Sequence, residues 1–221
     1  MARAVFVTGT DTGVGKTVVA VALLRALVGR GVRAAGMKPV AAGIDPGARD
    51  NADVRALVQA ANVESARELV NPYSFAEPIA PHVAAAREGR SIDIAVLAHA
   101  FAELASRADA IVVEGAGGAL VPLDRHRDML DVAATLRLPV LLVVGVRLGC
   151  LNHALLTALA IRRRGLALAG WVATRIDPAM READASVDAL RERLAAPCIG
   201  DFASPRSTSF DDDALAAIGL Q

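Results

Sequence analysis

Residues Val5 to Thr17 read VFVTGTDTGVGKT, and their order decides the fold: three apolar residues, a Gly/Thr loop, then Gly15-Lys16-Thr17 opening an apolar run. Val5, Phe6 and Val7 predict a short buried strand bordered by Thr8-Gly9. The run VVAVALLRAL after Thr17 predicts a buried helix. A loop that ends on a helix N-terminus points backbone N–H groups at an anion, and the helix dipole favours the same charge. Gly13 and Gly15, on either side of Val14, have no Cβ and let the backbone curl closely around a ligand. Lys16 adds a mobile positive charge for the outer phosphates of a nucleoside triphosphate, and the Thr17 hydroxyl can ligate Mg²⁺. The common phosphate-loop pattern places glycine at position 10. Here Thr10 stands in that place and the first glycine is Gly9, so the loop is a variant.

The 221 residues are 54% hydrophobic and undivided by any Pro/Gly/Ser linker, so a single domain over 1–221 is expected. Lys+Arg and Asp+Glu both total 24, which argues against broad nucleic-acid binding and leaves room for a local basic pocket. The start MARAVFVTG lacks a signal-peptide layout, and the apolar runs are interrupted before membrane-spanning length. A cytoplasmic protein without nucleic-acid or membrane partners is the expectation. Cys150 and Cys198 are expected as buried free thiols, and the four histidines show no metal-ligand spacing.

Outward from the loop, strands and helices alternate. Arg33 to Met37 predicts a second strand with Lys38-Pro39 at its carboxyl end, on the side of the sheet that carries the phosphate loop. Asp53 precedes a helix over Val54 to Ala61. It matters if it faces a cation at Thr17. Pro72, Pro78 and Pro81 break the next stretch into a shaped excursion ending in a short helix near His82 to Arg87. A helix over Ile92 to Ser106 leads to a buried strand, Ala110 to Val113, with Glu114 emerging at its end and Gly115, Gly117 and Gly118 following. A carboxylate there suits Mg²⁺ beside nucleotide phosphates, and Thr17, Asp53 and Glu114 make one candidate oxygen set. A helix (Met129 to Leu136), a strand (Pro139 to Val144), a helix from about Asn152 and a strand (Leu166 to Ala173) continue the rhythm. A helix to about Leu194, a short strand at Cys198-Ile199 and a helix over Asp213 to Ile218 complete it. The expected architecture is α/β, a three-layer sandwich with a mostly parallel sheet.

VTGTDTGVGKT, MKPVAAG, NPYSFAEPIAPH, VEGAGG and LPVLLVVGVRLGCLNHALLTA together resemble the dethiobiotin synthetase family, over most of the chain through AGWVAT. The resemblance implies a P-loop nucleoside-triphosphatase fold and a homodimer with active sites near its interface. It also implies ATP-dependent carboxylation and ring closure of 7,8-diaminononanoate with CO₂ or bicarbonate, through a carbamate and a carbamic-phosphoric anhydride. On this reading Lys16, Lys38 and Thr12 serve catalysis, and Mg²⁺ sits at Thr17, Asp53 and Glu114. Gly13, Val14, Gly15, Lys16, Thr17, Glu114, Gly117 and Thr174 bind nucleotide. Lys38 and the backbone of Gly149, Cys150, Leu151 and Asn152 hold the diamine substrate, the last four through its carboxylate across the dimer interface. Three places depart from the pattern. Ala41 and Ala42 lack a hydroxyl, Thr174 replaces an asparagine that can read the nucleobase, and GDFASPRS replaces a GEIP-type segment.

Two other readings compete. An ATP-dependent amidating enzyme shares the loop, but no appended glutamine-amidotransferase domain is evident here. A MinD/ParA-like ATP switch carries an early lysine in its phosphate loop, where this chain has Asp11.

Overall fold

The computed structural model describes residues 2–203 and 208–221, which leaves residues 204–207 of the GDFASPRS segment outside the description. The chain runs β1 (Arg3–Gly9), α1 (Lys16–Gly29), β2 (Ala34–Met37), β3 (Val40–Ala42), α2 (Ala52–Ala60), α3 (Arg67–Val70), β4 (Tyr73–Phe75) and α4 (Pro81–Arg87). It continues through α5 (Ile94–Ala105), β5 (Ala110–Gly118), α6 (Met129–Leu136), β6 (Val140–Gly145), α7 (Cys150–Arg163), β7 (Leu168–Thr174), α8 (Ala183–Arg193), β8 (Cys198–Phe202) and α9 (Asp212–Ala217). Six strands pair in the order β2-β5-β1-β6-β7-β8, every neighbouring pair parallel.

The central strands are buried on both faces, and alternate residues feed two sides of the sheet. Val5, Val7, Val112, Leu141, Val143 and Val172 join Val19, Leu23 and Leu27 of α1, Leu57 of α2 and Leu215 of α9. Phe6, Ile111 and Val113 face the other way, against Leu97 and Leu104 of α5 and Met129 and Val132 of α6. Beside them Leu142, Val144 and Trp171 pack under Ala154 and Ala158 of α7 and Val187 and Leu190 of α8. This is the three-layer sandwich expected from the alternation. Trp171 lies fully in the core, with its indole N–H unpartnered.

Three local features differ from the sequence reading. The proline-broken excursion forms β4, which pairs in parallel with β3 as a separate two-stranded sheet. Second, β5 does not end before Glu114: it runs to Gly118, and Gly118 pairs with Gly9 in the β1 register. Third, α7 starts at Cys150, because Gly149 takes the left-handed cap conformation at φ 95°. Both cysteines are free thiols, Cys150 buried and Cys198 only half-buried.

The sheet's connections diverge at β1, whose neighbours are β5 on one side and β6 on the other. In open parallel sheets ligands sit outside the carboxyl ends of the strands at such a point. The loop between β1 and α1 stands there.

Candidate active site

Close packing shapes the phosphate loop. A Cβ at Gly9 would come within 2.6 Å of Val14 Cγ2, so only glycine lets Val14 turn under the strand end. Val14 is accordingly 1% exposed: its side chain packs the loop rather than facing a ligand. Gly15 caps α1 at φ 89°, and Thr174 packs against it from the end of β7. Thr174 donates its hydroxyl to Val14 O at 2.6 Å, with Val144 O at 3.1 Å. A buried hydroxyl committed in this way fastens the loop, and Thr174 is the last strand residue rather than part of a loop. Gly13, at φ 74°, has open space around it. Gly117, at φ 62°, lies across from Thr12, whose Oγ1 is 3.5 Å from the point a Cβ would occupy.

Parallel register brings the charged groups together. Met37 pairs with Val113 and Val7 with Glu114, so Lys38, just past the end of β2, stands beside Glu114 within β5 near the sheet's carboxyl edge. Asn51 caps α2 by accepting from Asp53 N at 2.9 Å, which fixes Asp53 in the first turn of that helix. Lys38 Nζ then donates to Glu114 Oε1 at 2.6 Å, to Asp53 Oδ2 at 2.8 Å and to Gly115 O at 3.3 Å. Thr17 Oγ1 donates to the same Glu114 oxygen at 2.8 Å. Lys16 Nζ turns back onto Asp11 O at 2.8 Å.

Burial alone would lower the pKa of Lys38, but the two carboxylates outweigh it and raise that pKa above the usual lysine value. The ammonium therefore stays charged. Lys16 has no such partner: burial first, and then the charge of Lys38, pull it down to about 8. Burial works against the charged form of Asp53, yet Lys38, helped by Thr17 and Lys16, holds its carboxyl below the ordinary range.

Glu114 is fully buried and its Oε2 has no hydrogen-bond partner. That free oxygen, the Thr17 hydroxyl and the Asp53 carboxylate are hard oxygen donors, the set Mg²⁺ takes when it keeps waters and adds phosphate oxygens. Among the described residues no group of three or more His, Cys, Asp or Glu side chains can hold a metal. The set thus fits a cation arriving with phosphates better than an all-protein metal cage.

The proposed carboxylate-binding turn lies elsewhere on the same edge, after β6. Cys150 N is taken by Arg147 O at 3.0 Å, which removes one of the four expected backbone donors, and His153 N bonds Gly149 O. Gly149, Leu151 and Asn152 keep their places at the helix start. Within one chain, no hydrogen bond among the described residues joins this turn to Lys38 or Glu114.

Asn71 escaped the sequence reading. It is 2% exposed, and its Nδ2 donates to Lys38 O at 2.6 Å and Tyr73 O at 3.0 Å, while Lys38 N bonds Val70 O at 2.8 Å. Because Pro39 has no N–H, the chain after β2 leaves the ladder, and Asn71 supplies the donor that Lys38's carbonyl needs. An asparagine before Pro72 signals only a turn.

The chain has recognisable relatives among known proteins. A family model described as an AAA domain matches residues 3–207. The ATP-dependent dethiobiotin synthetase BioD of Nitrosospira multiformis is 53% identical over 200 residues, covering 90% of this chain and 88% of that protein. The protein of the same name from Aromatoleum aromaticum is 52% identical, covering 90% and 89%. Among solved structures, MinD complexed with Mg-ADP from Pyrococcus horikoshii has a TM-score of 0.58 at 16% identity, covering 100% of this chain and 88% of that one. A ParA family ATPase from Chlorobium tepidum has 0.56 at 14%, covering 100% and 91%. At such identity these two show the P-loop fold alone, whereas the curated relatives show more: the chain belongs to the dethiobiotin synthetase family of ATP-dependent ligases.

Proposed function

We propose that the enzyme converts 7,8-diaminononanoate, CO₂ (or bicarbonate as its source) and ATP into dethiobiotin, ADP and phosphate. The observation that carries this reading is Lys38, a buried ammonium kept charged by Glu114 and Asp53 beside a phosphate loop. One amine of the substrate attacks CO₂, losing a proton and forming a carbamate. The carbamate oxygen takes the γ-phosphoryl group of ATP to give a carbamic-phosphoric anhydride. The second amine then attacks the carbonyl and gives up a proton, phosphate leaves with the electrons of the C–O bond, and the cyclic urea closes.

Both activated species are anions, so the protein's task is alignment and charge compensation rather than nucleophilic attack. Lys38 stabilises the carbamate and the anhydride. Lys16 leaves Asp11 O for the transferring phosphate, and Thr12, exposed at the loop tip, donates to the carbamate or the γ-phosphate. Thr17, Asp53 and Glu114 would hold Mg²⁺, which when bound neutralises phosphate charge. The glycines around Val14, with Gly117 opposite, give the triphosphate its close approach.

A homodimer completes the site. The exposed Leu148 (91%), Leu151 (37%), Leu156 (57%) and Leu159 (51%) mark one apolar side of α7 and the turn before it. A second copy docked there would bring the α7 start, with the N–H groups of Leu151 and Asn152, to the partner's diamine carboxylate. Among the described residues no helix is long and apolar enough to cross a membrane, and we assign the ATP-consuming reaction to the cytoplasm.

Phosphate release tests the reading. With Mg-ATP and bicarbonate present, release should depend on the diamine and run one-to-one with ring formation. Release that ignores the diamine would refute it.

A further inference from the structure

The phosphate loop contains an acid. Asp11 lies between Thr10 and Thr12, in a loop whose ligand is a polyanion, and an unbalanced carboxylate there opposes binding. Its oxygens are all engaged. Oδ1 accepts from Thr12 N at 2.7 Å, the carbonyl accepts from Lys16 Nζ at 2.8 Å, and Oδ2 accepts from Arg147 Nη2 at 2.6 Å. Arg147 comes from the turn between β6 and α7. That turn is itself fastened, since Val146 N donates to Thr174 O at 2.8 Å and Cys150 N to Arg147 O at 3.0 Å. The guanidinium thus reaches the phosphate loop from a fixed base.

We propose that Arg147 is a positioning residue for ATP: it cancels the charge of Asp11 and holds that carboxylate against Thr12 N, keeping the loop shaped for the triphosphate. The side chains of Arg147 and Asp11 are 43% and 47% exposed, so the pair adds little to fold stability. Its effect falls on the ligand instead, because the uncompensated charge acts on every phosphate in the loop. Removing Asp11's charge should therefore remove the need for Arg147. That reversal separates this role from direct contact between Arg147 and phosphate, and from a purely structural one.

The test is a double-mutant cycle on the full chain, read as Mg-ATP affinity by calorimetry, with the melting temperature of each protein measured alongside. Arg147→Ala should weaken binding about tenfold in the native background and less than about threefold in the Asp11→Asn background. Arg147→Lys should restore most of the loss, and added salt should shrink the native-background effect. Equal losses in both backgrounds would overturn the proposal, as would unchanged affinity or a melting temperature that falls in step with affinity. Affinity is measured without the diamine, so failure here leaves the ring-forming reading untouched, and failure of that reading leaves this one standing.

Discussion

Replacing Lys38 with methionine separates its buried ion pairs from the catalytic role proposed for it. The substitution keeps the length of the side chain and removes the ammonium from between Glu114 Oε1 and Asp53 Oδ2, at 2.6 and 2.8 Å. Glu114 is fully buried, so its carboxylate keeps only Thr17 as a partner. Breaking a buried ion pair by removing one member costs about 3–5 kcal/mol. For a chain of this size that lowers the melting midpoint by about 6–20 °C. Adding Glu114→Gln to Lys38→Met removes the orphaned charge and should recover most of that loss. Mg²⁺ should also recover part of it by binding the freed carboxylates, about 2.7 kcal/mol at a concentration one hundred times its Kd. Activity should not follow stability. The rate of ring formation should fall by about 10²–10³ in Lys38→Met and stay low in the double variant, since the stabilising charge is absent from both. Urea or thermal unfolding, beside steady-state product formation, reads both quantities. A single variant that melts within 2–3 °C of the native enzyme would refute the buried-pair reasoning. A double variant with restored turnover would refute the role given to the ammonium.

Asn71→Leu removes both donors to Lys38 O and Tyr73 O at nearly constant volume, so kcat for ring formation should drop about tenfold or more while Mg-ATP affinity holds. Calorimetric ATP binding beside kcat checks this, with the buried α6 substitution Val132→Ala as a control for lost stability alone. Thr174→Val removes the bond to Val14 O, and about 1 kcal/mol of lost loop fastening should weaken ATP, GTP, CTP and UTP alike by about fivefold. A selective loss of ATP would instead make Thr174 a base-reading residue. Lys16 titrates at about 8 in the free enzyme, and bound phosphates raise that value, so nucleotide binding at pH 8 should take up about half a proton. Near pH 6 the lysine is already charged and the uptake should vanish. Calorimetry in buffers of different ionisation enthalpy measures it. The sign for folding is opposite: between about 8 and 10.5 the unfolded chain binds the extra proton, so this group's contribution to stability rises with pH across that window.

The parts of the site legible in sequence are those whose chemistry depends on local order. Strand, glycines, Lys16-Thr17 and helix must follow one another for a phosphate loop to exist, and they do so within thirteen residues, Val5 to Thr17. Lys38 and Glu114 were found as residues at strand ends, but their contact needed the sheet order β2-β5-β1, which no local pattern encodes. The extent of β5 was misread because glycines after Glu114 look like a loop. In the structure, Gly118 still pairs with Gly9 beside the phosphate loop. The β3·β4 sheet escaped notice because Val40–Ala42 and Tyr73–Phe75 are too short for periodicity and one is alanine-rich. Asn71, Arg147 and the inward bond of Thr174 act through partners 33, 136 and 160 residues away, so each is silent until the chain is folded.

The fate of the bicarbonate carbon tests the proposed ring-forming reaction most directly. The enzyme is incubated with Mg-ATP, 7,8-diaminononanoate and ¹³C-bicarbonate, and the cyclic product is examined by mass spectrometry and carbon NMR. Dethiobiotin should carry the label in its ureido carbonyl, with one ADP released per labelled ring. ADP release without labelled cyclic product, at saturating diamine, would contradict that reaction.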